Sequence, residues 1–192
     1  MMKYSLIVLF VCTGLGTLCA QEKQEREYRI QKAAFPTKAF EVIEGKLEGA
    51  KRVKYYKEMD SAKISYEVKF KKNRLWYSVE FTEEGALEDI EITIKEADIP
   101  NDSYATIRTY LKENFTSYRI QKIQQQYIKE SPVEQTLKHA FQNLMIPSLN
   151  YELIIDGKKD KAYQKFEILF DAEGKFKKSR KSLPPNYDHV LY

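Results

Sequence analysis

Cysteine is almost absent from the sequence. Its 192 residues include two cysteines, Cys12 and Cys19, and both lie near the N-terminus. The remainder of the chain therefore forms no disulfide and offers no thiolate for catalysis or metal binding. Its stability must come from a packed hydrophobic core. The length suits one domain of ordinary size or two small units that share an interface.

Groups that support catalysis or cofactor binding are also scarce. The two histidines lie far apart in the sequence and form no metal-ligand spacing. The chain contains neither a glycine-rich phosphate loop nor a nucleophile elbow. Carboxylates are numerous, but the strand and helix patterns place them on water-facing sides and select no acid pair. We therefore predict no catalytic residue, no metal site, no cofactor and no enzymatic activity.

Charge of one sign is not in large excess. The formal net charge of +4 favours solubility, and we predict no nucleic-acid partner. The densest positive cluster is the run KFKKSRK at 175–181. This run is typical of an edge strand that lysines keep unpaired. A patch for an acidic polymer or a phospholipid headgroup is the alternative.

One apolar stretch stands out, and it lies at the N-terminus. Residues 1–20 hold a single charged residue, an apolar run and small residues towards Ala20. This pattern predicts a secretory signal peptide that is cleaved between Ala20 and Gln21. The run is too short for a membrane span. We expect a periplasmic or secreted protein that is not integral to the membrane, with lipid attachment at Cys19 as an alternative.

Two segments of the remaining chain resemble each other. YSVEFTEEGALEDI at 77–90 matches FEILFDAEGKFKKS at 166–179, and in both an apolar residue occupies every second position of the strand before a glycine. Alternation with a period of two predicts strands with one buried and one wet face. Gly85 and Gly174 are expected in turns at a positive φ. The segments therefore predict corresponding hairpins in a duplicated antiparallel unit.

A predicted helix precedes the strands in each copy. The helices begin near Pro36 and Pro100, since proline is favoured in the first turn of a helix. Apolar residues at three- and four-residue spacing then fall on one face of each helix. They are Phe40, Ile43 and Leu47 in the first copy, and Tyr104, Ile107 and Leu111 in the second.

These patterns predict an α+β fold of two tandem repeats, each a helix packed on an antiparallel sheet of about four strands. An extra amphipathic helix at about 131–145 is inserted in the second repeat. The expected divisions are a signal peptide at 1–20, an N-terminal linker at 21–32, repeat 1 at 33–97, repeat 2 at 98–183 and a C-terminal tail at 184–192.

The repeats differ in ways that suggest a binding surface. Ile154 and Leu169 occupy strand positions that hold Lys69 and Glu80 in the first repeat. Two alternatives stay open for these apolar residues. In one, the inserted helix or the first repeat covers them as core; in the other, part of this surface stays exposed for a partner. Trp76 is expected on the outward side of its strand, where tryptophan often anchors a partner. The candidate partner surface is Trp76, Ile154, Leu169, Lys175 and Lys177.

The proline-started helix, the strands YRIQKI and YELII, and the turn in FEILFDAEGKF, with a weaker copy at 36–94, resemble the PepSY-like domains of exported proteins. In particular they resemble the tandem, β-lactamase-inhibitor-like proteins of Bacteroidetes-type bacteria. The resemblance covers most of residues 33–182 and consists of hydrophobic spacing and turn glycines, which specify a fold rather than an activity. It implies a helix on one face of a sheet in each half, and a periplasmic or surface role in binding or inhibition.

The sequence departs from these proteins through its inserted helix and through its lack of cysteines after Cys19. The β-lactamase inhibitor relies on disulfides, so we do not transfer inhibition of a β-lactamase to this chain. We predict a non-enzymatic exported binding or inhibitory module that recognises a protein or peptide through a sheet face and loops. Two alternatives stay open: an envelope-associated structural protein that contacts cell-wall or outer-membrane components, and a hydrolase that uses a carboxylate pair.

Overall fold

The computed structural model describes residues 22–23, 25–60, 63–159 and 161–182. The expected signal peptide, with Cys19 and the Ala20 to Gln21 cleavage site, lies outside the described residues, as does the expected tail at 184–192. Ten strands and three α-helices occupy the described part of the chain. In order they are β1 (Glu22–Lys23), β2 (Glu25–Ile30), α1 (Thr37–Leu47), β3 (Lys51–Asp60), β4 (Lys63–Lys72), β5 (Leu75–Thr82), β6 (Leu87–Ile94), α2 (Asn101–Asn114), β7 (Ser117–Ile128), α3 (Val133–Phe141), β8 (Asn150–Lys158), β9 (Tyr163–Phe170) and β10 (Phe176–Ser182).

The three helices form where the apolar spacing predicts them. Pro36 and Pro100 are the residues just before the first turns of α1 and α2, where proline fixes the backbone without removing a helical hydrogen bond. The inserted helix α3 is shorter than expected and follows Pro132, with no side-chain cap. None of the helices in the described part of the chain combines the length and the apolar content that a membrane crossing requires.

The strands form one sheet in the order β1, β10, β9, β8, β7, β6, β5, β4, β3, β2. Strands β2 to β10 pair antiparallel with one another, and the sheet is not closed. The α+β class is confirmed, but the expectation of a sheet of about four strands in each half is wrong. Strand β6 pairs with β7 from Asp89 opposite Ile128 to Ile94 opposite Ile123. This pairing joins the two halves into one sheet, because β6 and β7 are neighbours and neither is an edge strand.

The segment expected as a linker at 21–32 contributes strands to the sheet. Strand β2 pairs antiparallel with β3 along six residues, and the two residues of β1 pair in parallel with the end of β10. Only one residue separates β1 from β2 in the sequence. The two outer strands therefore come near each other at this end, which requires a strongly curved sheet.

One face of the sheet, the apolar face, carries the core. The strands supply alternate residues to it, and the helices cover it with Ala39 and Ile43 from α1 and Ile107 and Leu111 from α2, all fully buried. Helix α3 packs on the same face. The ring of Phe141 in α3 stacks on Tyr77, with 4.9 Å between centroids. Burial of these side chains is the main stabilising contribution to the fold.

The two turn glycines adopt the predicted backbone. Gly85 has φ +81° and Gly174 has φ +79°, a region that other residues adopt only at a cost. Gly174 also lies directly under α2. A Cβ at this position would collide with the backbone carbonyl of Ser103, and the Ser103 hydroxyl donates a hydrogen bond to the Ala172 carbonyl at 2.8 Å. The turn between β9 and β10 is thus a docking point for α2.

Candidate functional site

The opposite face of the sheet, the polar face, has no helix of the described chain on it. It nevertheless buries several polar side chains, including Glu67 at 3% and Gln124 at 2% exposure. The three described helices pack on the apolar face, so they do not supply this burial. Its buried polar residues are Glu58, Glu67, Ser78, Glu91, Gln124, Asn150, Glu152 and Glu167.

Three carboxylates lie side by side on the polar face. Glu67 on β4 is opposite Glu80 on β5, and Glu80 is opposite Asp89 on β6. Glu91 follows two residues after Asp89 and points to the same side. Like charges on directly opposed strand positions destabilise a sheet. We name Glu80, Asp89 and Glu91 the acidic cluster, because a carboxylate oxygen from each lies within 4.8 Å of the others.

Glutamines on the neighbouring strand β7 hold two members of the acidic cluster. Gln124 Nε2 donates to Glu91 Oε2, and Gln126 Nε2 donates to Asp89 Oδ2 at 2.9 Å. Burial raises the pKa of Asp89 and of Glu91, and the neighbouring carboxylates raise both pKa values further. These two acids therefore retain their protons at higher pH than exposed acids do.

A chain of hydrogen bonds joins the acidic cluster to the edge of the sheet. Lys177 Nζ donates to Asn150 Oδ1 at 3.0 Å, and Asn150 Nδ2 donates to Gln126 Oε1 at 3.2 Å. Gln126 in turn donates to Asp89. Lys177 reaches inward because it is the extra residue of a bulge, where β10 shifts register against β9 between Phe176 and Lys178.

A second acidic group on the polar face already contains a cation. Carboxylate oxygens of Glu27, Glu58 and Glu67 lie within 4.8 Å of one another. Lys69 Nζ lies 2.8 Å from Glu27 Oε2 and 2.7 Å from Glu67 Oε2, and Ser78 Oγ donates to Glu67. Burial disfavours the charged lysine, but the two glutamates outweigh it and raise the pKa of Lys69.

In the described part of the chain, these two acidic groups are where three carboxylate oxygens lie close enough together to hold a metal ion. A divalent cation at Glu27, Glu58 and Glu67 would have to displace the ammonium group of Lys69. At the acidic cluster, burial and the neighbouring carboxylates raise the pKa values of Asp89 and Glu91, so both acids hold their protons to higher pH. A cation would have to compete with those protons, because metal ligands bind in their deprotonated form.

A cavity of about 250 Å³ opens on the polar face beside the acidic groups. None of its lining residues is acidic. Trp76, which is 37% exposed, forms one wall. The guanidinium carbon of Arg52 lies 5.7 Å, and Lys71 Nζ 6.0 Å, from the centroid of the Trp76 ring. We name this space the lysine cavity, and its principal lining residues are Lys54, Tyr56, Lys69, Trp76, Lys122 and Gln124.

Three of the five candidate partner residues lie on the polar face by strand register. Trp76 and Leu169 lie in the same cross-strand row, which runs through Thr93, Gln124 and Glu152. Four strand spacings separate them, about 19 Å along the sheet. Ile154 occupies the next row, opposite Glu167. The expectation that the inserted helix covers Ile154 and Leu169 is wrong, because α3 packs on the other face. Leu169 is nevertheless buried, at 6% exposure, and Ile154 is half-buried.

The two lysine candidates lie in different surroundings. Lys177 joins the hydrogen-bond chain of the polar face. Lys175 lies in the turn after β9, where its backbone N–H donates to Asp171 Oδ1 at 2.8 Å. It lines a shallow groove on the α2 side with Tyr110 and Phe176, whose rings stack at 4.6 Å. The structure therefore does not bring Lys175 together with the other four residues.

The buried acids were missed by the sequence analysis. Alternation places Glu67, Glu80 and Glu91 on one side of the sheet, and we expected that side to face water. Their proximity depends on which strands are neighbours. The available signal was the set of acids that lie opposite one another once the strands are paired. Such a row destabilises a sheet unless other groups compensate its charge.

Solved structures with the same fold come from Bacteroides. A DUF2874 family protein from Bacteroides ovatus aligns at a TM-score of 0.54 with 12% identity, over 81% of this chain and 93% of its own. A protein from Bacteroides eggerthii that is described as periplasmic aligns at 0.53 with 14% identity, over 76% of this chain and 88% of its own. A BLIP-like protein from Bacteroides fragilis aligns at 0.50 with 11% identity, over 82% and 93% respectively.

No protein-family model matches the sequence, and none of the curated proteins matches it. The structural matches show that the chain has the fold of these DUF2874 and BLIP-like proteins, and they confirm the predicted resemblance at the level of the fold. Identities of this size carry the fold and not an activity.

Proposed function

We propose that this chain is an exported, non-enzymatic binding module that recognises a protein or peptide through the polar face. The observation that carries the proposal is the lysine cavity, where the cations of Arg52 and Lys71 lie within 6.0 Å of the ring centroid of the exposed Trp76. Tryptophan and arginine are the side chains that most often anchor a protein partner. A cavity also buries more of an inserted side chain than a flat surface does.

The distribution of apolar residues supports the same surface. Ile154 is half-buried and Trp76 is exposed on a face that is otherwise polar. Protein interfaces combine a few apolar anchors with a polar surround in this way. The two anchors lie on opposite sides of the central strands, so a partner segment crossing the face would contact both.

A binding role accounts for the polar face better than catalysis does. The carboxylates of the acidic cluster lie close enough for an acid pair, but Glu91 is only 7% exposed and accepts a hydrogen bond from Gln124. No member of the acidic cluster lines the lysine cavity. A substrate in this cavity would therefore meet ammonium and aromatic groups rather than the acids.

Export to the periplasm or beyond is part of the proposal. It is supported by the N-terminal pattern of residues 1–20 and by the shared fold with a Bacteroides protein described as periplasmic.

Site-directed photo-crosslinking tests the proposal. A photo-reactive amino acid in place of Lys71, beside Trp76, reports what contacts the polar face. The same amino acid in place of Lys112, exposed on α2, is the matched control for the apolar-face side of the molecule. We expect a discrete protein of the native host to be linked from position 71 and not from position 112. The purified partner should then bind the wild-type chain and bind the Ile154→Lys variant more weakly.

Equal crosslinking from both positions, or none from position 71, would contradict the proposal. Binding to isolated envelope fractions that falls steeply with salt, with no protein crosslink, would instead identify the envelope-associated alternative. Circular dichroism and thermal unfolding of each variant establish that the fold is retained.

A further inference from the structure

The lysine cavity is lined by three lysines, and two of them form no ion pair within the described residues. Lys69 is paired with Glu27 and Glu67, whereas no such pair joins Lys54 or Lys122 to a carboxylate. Lys122 lowers the pKa of the buried Glu91, but burial and the neighbouring carboxylates outweigh this effect and leave that pKa raised. The cavity thus offers Lys54 and Lys122 to an anionic group.

The wall of the cavity adds two more cations. Arg52 and Lys71 lie over the ring of Trp76, and neither forms an ion pair within the described residues. Cations packed against an indole ring remain available to an anion from the other side. Lys54 and Arg52 are exposed, while Lys71 and Lys122 are half-buried. Two cations therefore lie by the Trp76 ring, and Lys54 and Lys122 line the same cavity.

We propose that the lysine cavity binds the carboxylate side chains of an acidic segment in a protein partner. This inference rests on the proposed function and specifies the chemistry of its partner. Carboxylates of the segment lie against Lys54 and Lys122, and its aliphatic side-chain carbons pack on the face of Trp76. Charge complementarity of this kind steers encounter and selects the partner.

The shape of the lysine cavity favours a protein segment over a membrane. A bilayer is flat, so it reaches the rim of the cavity and not the half-buried Lys122. The cavity of about 250 Å³ has room for one or two side chains. A loop or helix end fits this space, because it projects side chains from a convex surface.

The chain contains its own reporter for this test. Trp76 is the one tryptophan in the sequence, so intrinsic tryptophan fluorescence reports on the cavity alone. The probe is a hexaglutamate peptide, and hexaglutamine of the same length is the uncharged control. We expect a saturable fluorescence change with hexaglutamate that weakens as salt is added, and no change with hexaglutamine.

Charge-removing variants connect the signal to the named residues. The double variant Lys54→Gln and Lys122→Gln should bind hexaglutamate about tenfold more weakly. Lys112→Gln, which removes one exposed lysine on α2, is a control for net charge and should bind as the wild type does. An unchanged affinity in the double variant would overturn the inference, and so would an equal response to hexaglutamine.

Other sources of negative charge are compared with hexaglutamate in the same fluorescence assay. Anionic phospholipid vesicles and polygalacturonate are titrated at the same carboxylate or phosphate concentration. A stronger response to either of them than to hexaglutamate would overturn the protein-segment inference. Crosslinking of a host protein from position 71 without any hexaglutamate response would leave the proposed function standing while the acidic partner is wrong.

Discussion

Glu80 and Asp89 face each other across neighbouring antiparallel strands β5 and β6. Glu67 lies opposite Glu80 on the other side, so three acidic residues occupy consecutive positions in one cross-strand row. The row persists because different groups compensate its members. Lys69 pairs with Glu67, while Asp89 lies beside Gln126 with a raised pKa. Repulsion among these acidic residues therefore lowers the free energy of unfolding, and a mutation that removes one of them should raise it.

Replacing Glu91 with glutamine should stabilise the protein at neutral pH. The free energy of unfolding should rise by about 1 kcal/mol, because Glu91→Gln removes a buried carboxyl whose ionisation the fold disfavours. The new amide oxygen can still accept the hydrogen bond from Gln124 Nε2. Urea denaturation at pH 7 measures the change. Glu113→Gln, at an exposed site on α2, is the control and should change stability by less than about 0.5 kcal/mol. A Glu91→Gln variant less stable than Glu113→Gln would contradict this account.

The stability contributed by Asp89 and Glu91 should fall as pH rises. At pH below the ordinary pKa values of 3.8 and 4.5, both residues are protonated in the folded and unfolded states. Above those values the unfolded chain releases its protons first, because only the folded state has the raised pKa values. The folded state then binds more protons, so the free energy of unfolding decreases with pH until the folded pKa values are passed.

The double variant Asp89→Asn and Glu91→Gln isolates this effect from other titrating groups. Urea denaturation of both proteins from about pH 4 to about pH 9 gives the difference in their free energies of unfolding. We expect the advantage of the double variant to be small at the acidic end and to grow with pH. A difference that stays constant, or that shrinks as pH rises, would show that the two carboxyls have no raised pKa.

Much of the local structure follows from the sequence. Proline at 36 and 100 and apolar spacing predict α1 and α2, because a short-range rule decides each helix start. The positive φ of Gly85 and Gly174 is likewise confirmed. Whether the two halves arose by duplication stays a prediction.

The long-range structure does not follow from the sequence. Whether β6 pairs with β7 depends on where α2 places the chain after it crosses the apolar face. The hydrogen bond between Gln124 and Glu91 depends on this same pairing of β6 with β7. Trp76 and Ile154 were predicted as outward residues from alternation alone. The acidic cluster needs the register between strands, which local patterns do not provide.

Removing the charge of Lys69 should destabilise the protein strongly. Lys69→Met leaves Glu27 and Glu67 without their shared cation, and Glu67 is 3% exposed. We expect a loss of about 2 kcal/mol in the free energy of unfolding, because an uncompensated buried charge remains. Lys63→Met is the matched control. Its pair with Glu88 has the lysine side chain 60% exposed and should be worth less than about 1 kcal/mol.

A compensating change tests whether the loss comes from the unpaired charge. Adding Glu67→Gln to Lys69→Met removes one buried carboxylate, and its amide oxygen can still accept from Ser78 Oγ. The double variant should recover most of the lost stability. If Lys69→Met costs no more than Lys63→Met, or if Glu67→Gln gives no recovery, the buried ion pair does not control stability on this face.

Gly174→Ala should destabilise the protein by more than about 2 kcal/mol. Its φ of +79° disfavours any side chain, and the added Cβ would collide with the Ser103 carbonyl, which forces α2 away from the sheet. Gly45→Ala is the matched control. Gly45 lies within α1 with nothing inside 4 Å of an added Cβ, so alanine should stabilise by up to about 1 kcal/mol. Thermal unfolding should therefore show the two alanines shifting the midpoint in opposite directions. Two shifts of the same sign would mean that the β9 to β10 turn does not set the position of α2.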